Sequence, residues 1–252
     1  MYAGYRGAEY FKRRNKYEPW YTKKVNDGIG HSSQVLQLRR DHLEKMMMKV
    51  IEEGRVASPK RVLDVGGDEG QFIPDLPSID ERAVLEVSGV RPIADVTSIT
   101  DWTQAAAFQP DMLMMCHVLE HTDTARAMIE EAGRLLKKGN LFYVEVPLDR
   151  PRKIGKIFGT KMYRSYTRWL ASHPLVFRIA DLLSLVSRRF TGRPFPGSVI
   201  KQNEHLNFFN VQSLTRVLGA NGFTEVEKSI YKPSSGVPIL DVAAIGVIYQ
   251  RN

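Results

Sequence analysis

Short apolar runs alternate with stretches of helical spacing through the middle of the chain. Apolar or β-rich runs at residues 61–65, 82–87, 111–116 and 141–146 predict strands. Residues 125–137, between the last two runs, carry an amphipathic helical pattern. This order predicts an α/β fold, in which a parallel sheet carries helices on both of its faces.

Both ends of the chain add further elements. Residues 32–54 have helical spacing before a glycine, whereas residues 1–30 mix aromatic and charged residues without a period and predict an irregular arm. Near the other end, residues 211–220 predict a helix, and residues 224–231 and 241–249 predict strands. The link between these two strands is rich in turn residues and too short for a helical crossover. They should therefore form an antiparallel hairpin.

Composition narrows the class of protein. The chain has 252 residues, of which 43% are hydrophobic and 25% charged, and it is long enough to bury its own core. Its single cysteine, Cys116, excludes a disulfide framework and a multi-cysteine zinc site. No apolar run approaches the roughly 18 residues of a spanning helix. No apolar stretch follows the basic N-terminus, so we expect no secretory signal and a cytoplasmic protein.

The positive charge is concentrated in one segment. Residues 149–201 contain twelve Lys or Arg and two acidic residues, which makes the segment +10 within a chain of net charge +8. Apolar and aromatic positions recur there at helical intervals. An anionic membrane surface at the inner membrane face, a phosphate-bearing or lipid-linked acceptor, and nucleic acid are all compatible partners. The alternative is a solvated basic lid. Nucleic acid is the least favoured partner, because no RNA-binding module is present.

A glycine-rich turn follows the first strand. The sequence VLDVGGDEG at 62–70 ends a buried strand at Asp64 and continues through three glycines, Gly66, Gly67 and Gly70. In open α/β sheets, ligands bind beyond the carboxyl ends of the strands. The spacing departs from the dinucleotide-binding pattern G-x-G-x-x-G, so it does not indicate a pyrophosphate site.

A second acidic residue ends the next strand. Glu86 lies 22 positions after Asp64, where a carboxylate can accept hydrogen bonds from both ribose hydroxyls of an adenosine. The alternative is an acidic side chain that faces solvent at a strand end. Because Glu86 is the polar end of an otherwise apolar run, we favour the ribose role.

With these residues the chain resembles the class I S-adenosylmethionine-dependent methyltransferases, in the group with an HVLEH-type motif after the fourth strand. The matching segments are VLDVGGDEG (62–70), LEVSG (85–89), ADVTSI (94–99), DMLMMCHVLEHT (111–122), RLLKKGNLFYVEVP (134–147) and NEHLNFFNVQSLTRVLGANGF (203–223). The likeness covers roughly residues 58–148 and 203–250. Asp68 departs from the family, which usually has glycine there, but Asp tolerates a left-handed backbone.

The resemblance implies a Rossmann-like, seven-stranded methyltransferase sheet, mostly parallel with a C-terminal antiparallel hairpin. It implies four parts along the chain. An N-terminal helical arm would span 1–57 and an S-adenosylmethionine-binding core 58–148. A basic helical lid insertion would span 149–203, and the remainder of the core sheet 204–252.

The resemblance also implies a set of residues that bind S-adenosylmethionine and its product S-adenosylhomocysteine (SAH). They are Asp64, Gly66, Gly67, Gly70, Glu86, Asp95, Val96, Cys116 and His117. Asp64 and the glycines would lie at the methionine part of the cofactor, Glu86 at the ribose, and Asp95 with the Val96 backbone at the adenine. The last two residues would line the sulfonium side. For Cys116 the alternative is a small buried residue without a contact to the cofactor.

Methyl transfer from a sulfonium requires mostly positioning, but an oxygen or carbon acceptor must also lose a proton. Glu204 and His205 are the first candidates for this step, since a matching EH pair occurs in sugar methyltransferases with similar NEHLxFF sequences. His117 and His121 come next. Alternatively, His205 forms a structural hydrogen bond at a helix start, and His121 orients the loop. The six histidines are scattered, and the sequence indicates no metal site.

The resemblance implies methyl transfer to a small-molecule or saccharide acceptor, with O-methylation favoured over C-methylation. An enzyme of polysaccharide biosynthesis fits this description. Two alternatives remain open. One is a non-catalytic binding module recruited by the basic segment, which the departure at Asp68 motivates. The other is a nucleic-acid methyltransferase.

Overall fold

A computed structural model describes residues 33–148, 160–191, 206–231 and 243–252, together with residues 8, 9 and 12. The chain divides into two compact units. The larger unit contains Ser33–Asp149, Glu204–Ser234 and Val242–Asn252, and the smaller contains Met1–Ser32, Arg150–Asn203 and Ser235–Asp241. The three described residues of the predicted irregular arm, residues 8, 9 and 12, are helical and not irregular, and the rest of the arm lies outside the described residues.

The larger unit is built on one sheet of seven strands. These are β1 (Arg61–Val65), β2 (Glu81–Leu85), β3 (Thr97–Ile99), β4 (Met112–Cys116), β5 (Leu141–Pro147), β6 (Phe223–Tyr231) and β7 (Ala244–Arg251). Their order is β3-β2-β1-β4-β5-β7-β6. The pairs among the first five strands are parallel, and β7 is antiparallel to both β5 and β6. The seven-stranded, mostly parallel sheet and its C-terminal antiparallel hairpin are thereby confirmed.

Besides the helical residues 8, 9 and 12, six helices accompany the strands in the described residues. They are α1 (Ser33–Glu52), α2 (Trp102–Phe108), α3 (Ala125–Leu135), α4 (Thr160–Ser172), α5 (Pro174–Thr191) and α6 (Val211–Gly219). The fourth and fifth belong to the smaller unit, where they pack against each other. The other four belong to the larger unit. Within the described residues, no helix is long and apolar enough to cross a membrane.

Helices cover both faces of the sheet because the buried strands are apolar on both sides. Met47 of α1 and Met114 of β4 belong to one core cluster. The neighbouring residue on β4, Met115, belongs to the opposite cluster with Ile129 of α3 and Leu214 of α6. Successive residues of a strand point to opposite faces, so β4 contributes alternately to the two cores.

The main differences from the predicted elements lie between β2 and β4. The predicted strand 82–87 ends earlier, at Leu85, and Val87 beyond it is exposed. The short elements β3 and α2 gave no recognisable pattern: β3 has three residues, of which only Ile99 is buried. Helix α2 begins at an N-cap, Asp101, whose side chain accepts a hydrogen bond from the backbone of Gln104.

One short contact joins a residue before the basic segment to a residue after it. Leu148, just after β5, forms a parallel bridge with Phe209, just before α6. Both residues belong to the larger unit. The chain therefore leaves the sheet and returns to it at adjacent points.

Candidate active site

The turn after β1 has the left-handed backbone that its glycines allow. Gly66 and Gly70 have φ angles of 69° and 81°, and Asp68 between them has a φ of 56°. Asp is among the few residues other than glycine that adopt this region readily. The substitution at Asp68 is therefore compatible with the loop, and the loop itself is well formed.

The turn is also too crowded for side chains. A Cβ atom on Gly66 would lie 2.8 Å from Val118 Cγ2, and one on Gly70 would lie 2.9 Å from Val96 Cγ1. A Cβ atom on Gly67 would meet the Asp64 carboxylate. All three positions therefore require glycine, because the backbone of the turn packs directly against Val118, Val96 and the Asp64 carboxylate.

Asp64 lies beneath this turn, at the carboxyl end of β1. Its side chain is 0% exposed, and neither carboxylate oxygen has a hydrogen-bond partner among the described residues. Burial raises the pKa of Asp64 to about 7, although Arg39 acts in the opposite direction. A buried polar group without a partner is costly unless a ligand or water supplies one. Asp64 is thus well suited to accept hydrogen bonds from a cationic group.

The other predicted cofactor residues lie at the same edge of the sheet. Glu86 follows β2 directly, and its Oε1 accepts a hydrogen bond from the Ser88 backbone over 2.8 Å. Because β1 and β2 are adjacent and parallel, Glu86 and Asp64 end neighbouring strands. Val96 packs over Gly70, and Asp95 before it is exposed with a left-handed φ of 65°. Asp64 and Glu86 thus lie at the carboxyl ends of adjacent strands, and Val96 contacts the turn that follows the first of them.

His117, just after β4, is held between two carboxylates. Its Nδ1 lies 2.9 Å from Glu120 Oε1 and its Nε2 lies 3.0 Å from Glu145 Oε1. Burial and Arg39 lower the pKa of His117, but these two hydrogen bonds outweigh them and raise it to about 9. The ring is therefore an imidazolium at neutral pH with both nitrogens donating. An imidazolium has no free lone pair, so this geometry disfavours His117 as a general base.

Glu145 is the centre of a buried polar cluster that sequence reasoning missed. Its Oε1 is 2.6 Å from Arg39 Nη2, and its Oε2 accepts hydrogen bonds from the hydroxyls of Tyr143 at 2.9 Å and Tyr231 at 2.6 Å. Burial alone would raise the pKa of Glu145, but Arg39 and His117 hold it far below its usual range. We call Arg39, His117, Tyr143, Glu145 and Tyr231 the strand-end cluster.

One signal for this cluster is present in the sequence. Glu145 is an acidic residue inside the apolar run LFYVEVP, and a charge in a buried strand needs partners. Its partner Arg39 is 106 positions away and lies on α1, where it also stacks 3.9 Å from the ring centroid of Phe72. Nothing in the local pattern of either residue identifies the other.

Cys116 and His121 are not members of the strand-end cluster. Cys116 is 8% exposed and belongs to the core cluster beneath α1, and burial raises the pKa of its thiol well above the usual value. It is a neutral thiol at the end of β4. The backbone of His121 donates to Val118, and its Nε2 is 3.8 Å from Glu120 Oε1.

The segment before α6 is fixed onto the loop after β4. The backbone amides of Leu206 and Asn207 both donate to the Glu120 carbonyl, at 2.6 and 3.0 Å. The Asn207 side chain donates to the carbonyls of Leu119 and Thr122. Glu204 and His205 lie outside the described residues, but they immediately precede this attachment. The loop and this segment therefore meet next to His117 and His121.

Comparisons with known proteins identify the family. The model of the methyltransferase domain family matches residues 38–228. Magnesium protoporphyrin IX methyltransferase (ChlM) from Synechocystis PCC 6803, solved with SAH, has a TM-score of 0.51 at 13% identity, covering 96% of this chain and 98% of that one. The N-methyltransferase NodS from Bradyrhizobium japonicum WM9 has a TM-score of 0.47 at 12% identity, covering 94% and 98%. No curated protein matches this sequence.

The chain belongs to the methyltransferase domain family, and its fold is that of the class I enzymes. It is an S-adenosylmethionine-dependent methyltransferase. The residues present fit this cofactor, because the unpartnered, buried Asp64 carboxylate can accept hydrogen bonds from the cofactor's ammonium group. Among the described residues, no group of three or more His, Cys, Asp or Glu could hold a metal ion.

Proposed function

We propose that this enzyme transfers the methyl group of S-adenosylmethionine to a hydroxyl oxygen of a small-molecule or saccharide acceptor. The observation that carries the cofactor assignment is Asp64, a fully buried carboxylate without a protein partner beneath a crowded glycine turn. The resemblance of residues 203–209 to sugar methyltransferases supports the choice of acceptor. Enzymes that build polysaccharides use acceptors of this class.

In this proposal each cofactor residue has one task. Asp64 accepts hydrogen bonds from the ammonium group, and Glu86 accepts them from the ribose hydroxyls. Asp95 and the Val96 backbone contact the adenine. The bound cofactor supplies a sulfonium whose methyl group is transferred, and the turn after β1 fixes its position relative to the acceptor. Cys116 and His117 line the side of the site where β4 ends.

The proton of the acceptor hydroxyl is assigned to His205, assisted by Glu204. Both ring nitrogens of His117 already donate to carboxylates, so it cannot accept that proton. His121 is the second candidate, since it lies on the same loop. The attachment of Leu206 and Asn207 to Glu120 supports His205, because it ties the adjoining backbone to the end of β4.

The first experiment is calorimetric titration of the whole chain with SAH. We expect one site per chain with micromolar affinity, and Glu86→Ala should weaken binding by about 1–3 kcal/mol through loss of a charged acceptor for the ribose hydroxyls. Asp75→Asn is the control, because its side chain is exposed and pairs only with Arg82 in the described structure. A folded protein that does not bind SAH would contradict the assignment.

The acceptor and the base are tested together by transfer of a labelled methyl group. Free sugars, nucleotide-linked sugars and lipid-linked sugars are offered in parallel, with RNA and DNA as the competing class. His205→Ala should reduce turnover by about 100-fold or more while SAH binding is retained. Full turnover in this variant would exclude His205 as the base, and labelling of nucleic acid alone would exclude the saccharide acceptor.

A further inference from the structure

Helix α5 exposes a continuous apolar stripe. Leu175 at its beginning is 69% exposed and Phe190 at its end is 83% exposed. At 100° per residue the exposed apolar positions span about 120° of the helix circumference, which is a single face. The members of this stripe are Leu175, Val176, Ile179, Leu182, Leu183, Val186 and Phe190.

The face of α5 opposite the stripe is the less exposed one, and it carries polar residues as well as Phe177 and Ala180. Ser184 is 4% exposed, although it is polar and lies on the opposite face from the stripe. Asp181, near the same side, is also partly buried. A helix that packs onto its own domain normally turns its apolar stripe inward. In α5 the apolar side is instead exposed to solvent, as expected of a surface that contacts another apolar phase.

Positive charge accompanies the stripe. Helices α4 and α5 contain six basic residues and one acidic residue, Asp181. By helical register Arg178 lies at the edge of the stripe, and Arg188 and Arg189 precede Phe190. On α4, Trp169 is half exposed beside Tyr166 and His173. An apolar face with basic residues and aromatic rings is the composition of a helix at a bilayer surface.

We propose that α5 lies along an anionic lipid surface, with its apolar stripe inserted at the boundary between headgroups and acyl chains. Lipid phosphates attract the basic residues, while the acyl region accepts the stripe. A second copy of the chain fits less well, because it would bring two strongly positive segments together. Nucleic acid would satisfy the charge alone and leave the stripe in water. This inference does not depend on methyl transfer.

The test is flotation of the whole chain with lipid vesicles. We expect binding to vesicles of phosphatidylcholine and phosphatidylglycerol in equal parts, and much weaker binding to phosphatidylcholine alone. Added salt should weaken binding by screening the charges. Leu182→Asp should reduce the affinity roughly tenfold or more, because a large apolar side chain no longer leaves water. Met48→Asp, at a similarly exposed position on α1, should leave it unchanged.

Several results would overturn this proposal. Binding to neither vesicle would do so, as would binding that Leu182→Asp does not affect. A dimer seen by light scattering and abolished by Leu182→Asp, without vesicle binding, would assign the stripe to a second copy. SAH titration of the same samples separates these outcomes from unfolding and from failure of the cofactor assignment.

Discussion

The carboxyl ends of β5 and β1 each bury one carboxylate, and the two have opposite surroundings. Glu145 on β5 contacts Arg39 and His117 and accepts hydrogen bonds from Tyr143 and Tyr231. Asp64 on β1 has no hydrogen-bond partner among the described residues. The protein therefore satisfies one buried acid with its own side chains, whereas the proposed function assigns the other to the cofactor.

The pKa values of the two acids reflect this difference. Burial raises the pKa of both carboxyls. At Glu145 the cation of Arg39 and the hydrogen bonds outweigh burial, so its pKa falls far below the usual range and it is ionised throughout the neutral range. At Asp64 burial prevails and raises the pKa to about 7. Burial to the same extent thus leaves Glu145 ionised and paired, whereas Asp64 is unpaired and titrates near neutral pH.

The largest expected effect comes from removing the satisfied acid. Glu145→Ala leaves the buried Arg39 charge without its partner, which should lower the free energy of unfolding by about 3–5 kcal/mol. Denaturant unfolding followed by circular dichroism measures this change. Glu227→Ala removes an acid that pairs with Lys49 and Arg55 at the surface, and it should have little effect. Equal stability of the two variants would contradict the structural role of the strand-end cluster.

Removing Asp64, the acid without a hydrogen-bond partner, should not reduce stability but should weaken ligand binding. Asp64→Asn eliminates a buried charge that lacks a partner, so stability above pH 7 should be unchanged or increased. The same change should weaken SAH binding roughly ten- to hundredfold, because a hydrogen bond between charged groups is lost. Calorimetry and unfolding of one preparation test both parts. Loss of stability without loss of affinity would place Asp64 with Glu145 as a structural residue.

The pH dependence of SAH binding is a further test of the difference between Asp64 and Glu145. The Asp64 carboxyl must be ionised to pair with an ammonium group, and its pKa in the unliganded protein is about 7. Affinity should therefore rise with pH by up to about tenfold per unit below pH 7 and level off above it. Asp64→Asn should abolish this dependence. A flat profile in the original protein would contradict the contact.

The ionisation of Asp64 also changes the free energy of unfolding with pH, and its raised pKa defines the direction of that change. A raised folded-state pKa means that the folded, unliganded protein binds more protons than the unfolded chain between the ordinary value of 3.8 and about 7. Stability is therefore fully present below that interval and is lost as the pH rises through it. Thermal unfolding with and without SAH measures this loss, and SAH should reduce it by pairing with the ionised carboxyl.

The smallest expected effect concerns two glycines with nearly equal backbone angles. Gly54 and Gly66 have φ angles of 67° and 69°, but only Gly66 has a neighbour within the reach of a Cβ atom. Gly54→Ala should cost about 1–2 kcal/mol of stability from left-handed strain alone. Gly66→Ala should cost more and should also weaken SAH binding, because the methyl group meets Val118. Equal effects on binding would show that the turn does not cradle the cofactor.

Much of the fold could be predicted because its strands are buried on both faces. β1, β4 and β5 are mostly apolar runs, and their order along the chain with intervening helices indicates a parallel sheet. Strand β3 could not be predicted from the pattern. Three residues with one buried side chain carry no period, and its place is fixed by pairing with β2.

From local sequence, only those candidate site residues that directly end a strand or follow one could be predicted. Asp64, Glu86 and the glycines stand at strand ends, where ligands of this class of sheet bind. The left-handed backbone expected at Asp68 is present. Arg39 and Tyr231, however, contact Glu145 only because α1 and β6 pack near β5, and contacts between such distant segments leave no trace in either local pattern.

The bridge between Leu148 and Phe209 has a consequence for how this enzyme can be altered. Because the two residues are paired, the chain leaves and rejoins the larger unit at adjacent points, and the sequence between them can be treated as a cassette. Such cassettes tolerate exchange, since replacing them does not change the path of the remaining backbone. A short glycine-serine loop in place of 149–203, which keeps the hydrogen bonds of Leu206 and Asn207 to Glu120, should leave the sheet intact.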